Sequence, residues 1–184
     1  MKAPRDMNVY HKKHPKGKEI ILKKETWINE TCRKDYENFL EEILNPDSEV
    51  LEFGSGGSSI YIAKRVKTLT TLEYDSVWYK VVQEEIAKEG ISNITHHFDP
   101  DYPKNFRCSK HSFDVAINDI WGGINREMCI ETAMNCLRLG GYLIFHDHIF
   151  TEKLKKEGWI QMKAWGEKEG LPLRNQRTAW RKPV

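Results

Sequence analysis

From residue 49 to about residue 157, short apolar stretches alternate with amphipathic ones, and this alternation limits the fold more than any other feature. EVLEF (49–53), TLTTLEY (68–74), NITHHF (93–98), FDVAIN (113–118) and YLIFHD (142–147) read as strands. SSIYIAKRV (58–66), DSVWYKVVQEEIAKEG (75–90) and NREMCIETAMNCLRLGG (125–141) read as helices between them. The second of these opens on an Asp cap, and the second and third both close on Gly, as helices do. Short, mostly apolar strands separated by helices predict a parallel sheet covered on both faces. The segment 99–112 lacks a helical pattern, so that crossover is expected to be a loop.

The two ends of the chain complete the pattern. ETWINETCRKDYENFLEEIL (25–44) places Ile28, Cys32, Tyr36, Phe39, Leu40 and Ile43 on one stripe at helical spacing, and NPDS (45–48) stops it. WIQMKAW (159–165) and QRTAWRK (176–182) read as strands with only GEKEGLPLRN between them. Without a crossover helix, the last strand must enter antiparallel. The expectation is an α/β, Rossmann-like, doubly wound sheet.

At 184 residues the chain suits a basic arm over 1–24 and a single domain over 25–184. No apolar run reaches membrane-spanning length, and MKAPRDMNVYHKKHPKGKE has no apolar core of a signal peptide. Cys32, Cys108, Cys129 and Cys136 form no CxxC or other ligand spacing. They are expected to be reduced thiols in a cytoplasmic protein. The net charge of +2 hides a basic start, with eight Lys and Arg against Asp6 and Glu19 in residues 1–24. The tail adds Arg174, Arg177, Arg181 and Lys182. Such termini are solvated ends or a surface for an anionic partner.

The first strand–helix turn is Gly54-Ser55-Gly56-Gly57. Ligands in such sheets sit outside the carboxyl ends of the strands, where the strand order reverses. Glycines there let a ligand touch the backbone, and the next helix offers N–H groups. Ser59 stands where a third glycine of GxGxxG belongs, and no GKS or GKT follows. Glu52, two residues before Gly54, would repel a pyrophosphate and suit a cationic ligand. Glu73 ends the next strand, where an acid can accept both hydroxyls of a ribose. A ligand with a ribose and a positive charge meets both acids, and S-adenosylmethionine (SAM) has both.

LEFGSGGSS, LEYD, FDVAIND and LRLGGYLIFHD, in that order, resemble the motifs of class I SAM-dependent methyltransferases over about residues 49–148. The resemblance implies seven strands in the order 3-2-1-4-5-7-6 with strand 7 antiparallel. It implies that Glu52, Gly54, Ser55, Gly56 and Glu73 line the cofactor. Tyr74 is then placed to pack on the ribose or adenine. Asp99 is either an acceptor for the adenine amino group or a turn residue in DPDYP.

Methyl transfer needs an aligned nucleophile that loses its proton if it carries one. Residues for this come from the ends of the fourth and fifth strands, Asp119 and His146-Asp147-His148. Asp119, Asp147 and His148 are similar to the metal site of catechol O-methyltransferase-like enzymes, with His148 in place of an Asn and Gly122 in place of a Lys. A Mg or Mn ion there would hold a hydroxyl and lower its pKa. A metal-free alternative uses His146 or His148 as general base. Arg126 is placed to pair with Asp119 or a substrate carboxylate, and Cys129 to pack in the core. Trp121, Gly122 and Gly123 are expected to wall the substrate pocket.

The sequence thus predicts a SAM-dependent methyltransferase for a small-molecule acceptor, more at oxygen than nitrogen. Its rivals are a non-catalytic SAM-binding protein or partner-dependent subunit, and a chain that binds NAD or another nucleotide. A nucleic-acid methyltransferase fits less well, because neither NDIW (118–121) nor DPDY (99–102) makes a D/N-P-P-Y/F motif after the fourth strand. Trp159 or Trp180, if exposed on the closing strands, would point to a homodimer.

Overall fold

A computed structural model describes residues 30–101, 103–120, 126–146, 151–165 and 177–184. Its elements are α1 (Glu30–Ile43), β1 (Glu49–Phe53), α2 (Gly57–Ala63), β2 (Thr68–Glu73), α3 (Ser76–Lys88) and β3 (Ile94–Phe98). They continue with β4 (Phe113–Asn118), α4 (Arg126–Cys136), β5 (Leu137–His146), α5 (Thr151–Lys156), β6 (Ile160–Trp165) and β7 (Arg177–Arg181). The seven strands form one sheet in the order β3-β2-β1-β4-β5-β7-β6. β1 through β5 pair in parallel, and β7 runs antiparallel to both β5 and β6. The expected topology is therefore the observed one. The described part of 99–112 carries no helix, as its pattern predicts.

Period-two alternation sorts the strand residues onto two faces. Val50, Leu69, Val115, Ile117, Ile144 and Ala179 pack with Tyr36, Phe39 and Leu40 of α1 and Ile62 and Ala63 of α2. Leu51, Phe53, Ala116, Leu143 and Phe145 turn the other way, onto Cys129, Ile130 and Ala133 of α4 and Leu154 of α5. α1 is further fixed at the far edge of the sheet. Tyr36 and Phe39 pack edge-on against Trp165 at 5.3 and 5.4 Å, and Asp35 accepts the Trp165 indole N–H at 2.7 Å.

Three sequence expectations need correction. The helix over 125–141 ends at Cys136, and Leu137 through Gly141 joins the strand. Leu137 pairs with Phe113 and Tyr142 with Val115, so five steps along β5 match two along β4. Gly140 absorbs the bulge with φ +75°, and a side chain at Gly141 would sit 2.8 Å from the Asp114 carbonyl. The thiols of Cys108 and Cys136 are not reduced but joined in a disulfide, which ties the 99–112 crossover to the end of α4. Cys129 remains a free, buried thiol, its pKa pushed up by burial. Trp159 and Trp180 are buried in the core, so the sign of a homodimer they would have given is absent. No described helix is long and apolar enough to cross a membrane.

Candidate active site

β1 lies between β2 and β4, and this is where the connections reverse direction. Backbone bonds bring the three strand ends level. Gly54 N–H donates to the Leu72 carbonyl at 2.9 Å, and Asp119 N–H donates to the Phe53 carbonyl at 2.9 Å. Gly54, Glu73 and Asp119 therefore meet at one rim, the position at which open α/β sheets bind ligands.

The two critical glycines of the turn differ in purpose. Gly54 has φ +92°, and a Cβ there would lie 2.6 Å from the Asp119 carbonyl oxygen. Its lack of a side chain lets the ends of β1 and β4 close, a structural need the sequence expectation of ligand approach missed. Gly56 has extended backbone, is itself buried, and a Cβ there would meet nothing within 4 Å among the described residues. Open space beside a buried glycine is where a ligand can lie against the chain.

Glu52 shapes this turn from below. It is fully buried, and its two oxygens accept Ser58 Oγ at 2.6 Å and Ser59 Oγ at 2.5 Å. Ser59 Oγ in turn accepts the Gly56 N–H at 2.9 Å. Desolvation pushes the Glu52 pKa up to about 7 against the lowering effect of the serine hydroxyls. Both Glu52 oxygens thus have partners within the turn itself. The acid locks the first turn of α2, and Ser59, where a third glycine was missing, is its link to Gly56.

Glu73 is 3% exposed at the end of β2. Its Oε1 accepts the N–H groups of Tyr74 and Asp75, each at 2.9 Å. Its Oε2 accepts Ser55 N–H at 3.1 Å and Ser55 Oγ at 3.2 Å. Burial pushes its pKa up to about 7, with those donors pulling the other way. Ser55 is held from two further sides. Its carbonyl accepts the Trp78 indole N–H at 2.7 Å, and His96 Nε2 lies 3.0 Å from its hydroxyl. Burial, with a smaller effect from His97, depresses the His96 pKa to about 4, so its imidazole is neutral. Asp75 caps α3 as expected, accepting Val77 and Trp78 N–H at 2.8 Å.

Tyr74 packs against the Phe53–Leu72 cluster, and burial with its acidic neighbours raises its pKa to about 12. Asp99 makes turn contacts: Oδ1 accepts Asp101 N–H at 3.0 Å and an Asn105 Nδ2 hydrogen at 3.1 Å. At the β4 end, Asp119 Oδ2 pairs with Arg177 Nη2 at 3.1 Å. Arg177 comes from β7 and lies over the Tyr36 ring at 5.1 Å. Burial, opposed by Arg177, pushes the Tyr36 hydroxyl well above its usual pKa, and the charges of Asp119 and Glu52 add to the rise. Arg126 donates to the Ile120 carbonyl at 2.9 Å and feels the Asp119 charge.

Asp147, His148, Trp121, Gly122 and Gly123 lie outside the described residues, as does the side chain of His146. Among the described residues no group of three His, Cys, Asp or Glu is placed to hold a metal ion. Asp119, the described member of the expected metal set, already has a guanidinium on its carboxylate. The described donors do not make a metal site. Sequence reasoning missed Arg177, Tyr36, His96 and Trp78. Arg177, Tyr36 and His96 reach the rim from elements distant in sequence, and Trp78, in the first turn of α3, bonds back to Ser55.

No family model matches the sequence, and no curated protein is similar to it. Solved structures are similar in shape. SMU.1697c of Streptococcus mutans, assigned as a methyltransferase and solved with S-adenosylhomocysteine (SAH), superposes with a TM-score of 0.67 at 13% identity, over 81% of this chain and 96% of that one. The tRNA methyltransferase TrmI of Aquifex aeolicus gives 0.60 at 18% identity, over 91% of this chain and 76% of its own. The fold is that of the class I methyltransferases. That fold is not confined to methyl transfer: the cyclase SpnF gives a TM-score of 0.62 at 12% identity, over 86% of each chain. In this chain the glycine turn and the acid at the end of β2 stand at the reversal point of that fold.

Proposed function

We propose that this chain is a SAM-dependent methyltransferase acting on a small molecule, with oxygen favoured over nitrogen as acceptor. The observation that carries the reading is the open face at Gly56, linked through Ser55 to the buried carboxylate of Glu73. The open face fits a ligand against the backbone, and the acid fits a ribose hydroxyl. SAM, when bound, supplies an activated methyl group and its own leaving group.

The chain's residues then bind, orient and handle a proton. Gly54, Ser55 and Gly56 bound the cofactor cleft with their backbone, Glu73 holds the nucleoside, and Tyr74 borders it. Asp119, ion-paired to Arg177, is the acid at the rim on the acceptor side of Gly54. It accepts the proton of an acceptor hydroxyl, with His146 and His148 as its alternatives. An anchored acid of this kind contributes typically about 10²–10⁴-fold.

A second reading rests on the same ion pair. An Asp119 neutralised by Arg177 suits a SAM-binding protein that is non-catalytic or completed by a partner. The test offers isotopically labelled SAM with a panel of phenols, catechols, amines and carboxylates. Labelled product that is lost in Asp119→Asn, with SAH affinity retained, supports the enzyme. Tight SAH binding with no product from any class supports the second reading.

A further inference from the structure

A carboxylate offers about four lone-pair positions to hydrogen-bond donors. In Glu73 all four are taken: Tyr74 and Asp75 N–H on Oε1, Ser55 N–H and Oγ on Oε2. A ribose hydroxyl can reach this acid only by taking a donor's place. The Tyr74 and Asp75 amides belong to the chain running into the α3 cap, where Asp75 already accepts two further N–H groups. The Ser55 amide is part of a turn whose carbonyl is gripped by Trp78 at 2.7 Å. The Ser55 hydroxyl alone turns on a single bond.

That hydroxyl also has somewhere to go. His96 Nε2 stands 3.0 Å away on β3, and the imidazole is backed by the Tyr79 ring at 4.2 Å. With the hydroxyl proton on Glu73, His96 donates from Nε2, and its buried Nδ1 carries a lone pair without a partner among the described residues. The ring keeps this tautomer when the hydroxyl releases Glu73, so its Nε2–H still holds the Ser55 oxygen while the hydroxyl proton turns off the acid.

We propose that Ser55 is a displaceable latch on the ribose-binding carboxylate, and that His96 is the group that holds it as it opens. The Ser55 hydroxyl occupies Glu73 in the free chain and yields to a ribose hydroxyl, its oxygen kept by His96 Nε2–H while its own proton turns off the acid to solvent. Ser55 and His96 are positioning residues that set nucleoside affinity through competition for Glu73. The inference rests on the reading of the rim as a SAM site.

The test titrates SAH, adenosine and 2′,3′-dideoxyadenosine into wild type, Ser55→Ala, His96→Phe and the double variant. Ser55→Ala removes the competitor and is expected to tighten SAH and adenosine about three- to tenfold. It leaves dideoxyadenosine, which has no hydroxyl to offer, unchanged. His96→Phe keeps the ring stack, removes the donor that holds the opened hydroxyl and weakens SAH by a similar factor, and this loss disappears in the double variant. Ser55→Ala that weakens SAH or leaves it unchanged overturns the latch, as does a His96→Phe effect that persists without the Ser55 hydroxyl. Failure of wild type to bind SAH at all instead overturns the reading of the site, and the latch falls with it.

Discussion

Replacing each of the two critical glycines by alanine separates the architecture of the turn from its use. At Gly54 an alanine must hold φ +92° and place its Cβ 2.6 Å from the Asp119 carbonyl oxygen. The left-handed backbone costs about 1–2 kcal/mol. The clash is with main chain, not a flexible side chain, and overpacking of that kind adds about 1–3 kcal/mol. The sum, about 2–5 kcal/mol, lowers the melting temperature by about 4–20 °C for a chain of this size. At Gly56 the backbone is extended and the space is open, so alanine changes stability by no more than about 0.5 kcal/mol. Its methyl group enters the proposed ligand cleft, and SAH affinity falls by about tenfold or more, equivalent to about 1.4 kcal/mol. Thermal melting by circular dichroism and calorimetric titration of SAH measure the two effects. A Gly54→Ala protein that melts with the wild type refutes the close-approach argument. A Gly56→Ala protein that binds SAH as the wild type does refutes the assignment of the open face.

The site makes further claims that can be measured. Glu52 and Glu73 titrate near 7 when folded and near 4.5 when not, so between those values the folded chain holds more protons. Their contribution to stability is therefore present at pH 4.5 and lost as pH rises to 7, on the order of 3 kcal/mol for each group. Melting in the absence of ligand over pH 5–8 checks the sign. SAH affinity runs the opposite way, rising through pH 7 as Glu73 ionises, and binding at pH 6 releases protons that calorimetry in two buffers detects. Asp119→Asn lowers methyl transfer about 100-fold or more while SAH affinity stays within twofold, as steady-state rates and titration together show. Reducing Cys108–Cys136, which closes a span of 28 residues, removes about 3–4 kcal/mol on chain-entropy grounds. It lowers the melting temperature by about 6–16 °C, and non-reducing peptide mass analysis verifies the bond.

The fold was legible because its signals are local. Strand and helix alternate with little noise from EVLEF to YLIFH, Asp75 caps its helix, and the missing crossover helix before β7 dictates an antiparallel last strand. Where local signals competed, the sequence misled. LRLGG carries a glycine stop, but Leu137 finds a partner in Phe113 and extends the strand instead. The Cys108–Cys136 bond joins residues 28 apart, a proximity that no spacing rule reveals.

The site was legible only in its backbone. Gly54, Gly56 and Glu73 stand at the reversal point as the motifs imply. The groups that govern them come from other strands and helices. Arg177 reaches Asp119 across 58 residues of sequence, and His96 reaches Ser55 across 41. Glu52 reads from the sequence as an acid awaiting a cation. In the fold, Ser58 and Ser59 take its oxygens first, because a fully buried carboxylate must find donors at once.

Amide chemical-shift mapping of the isotopically labelled chain during an SAH titration tests the central claim most directly. The account predicts saturable shifts concentrated at the amides of Gly54, Ser55 and Gly56 and at those of Tyr74 and Asp75. Shifts centred elsewhere on the sheet, or none at millimolar SAH, would contradict it.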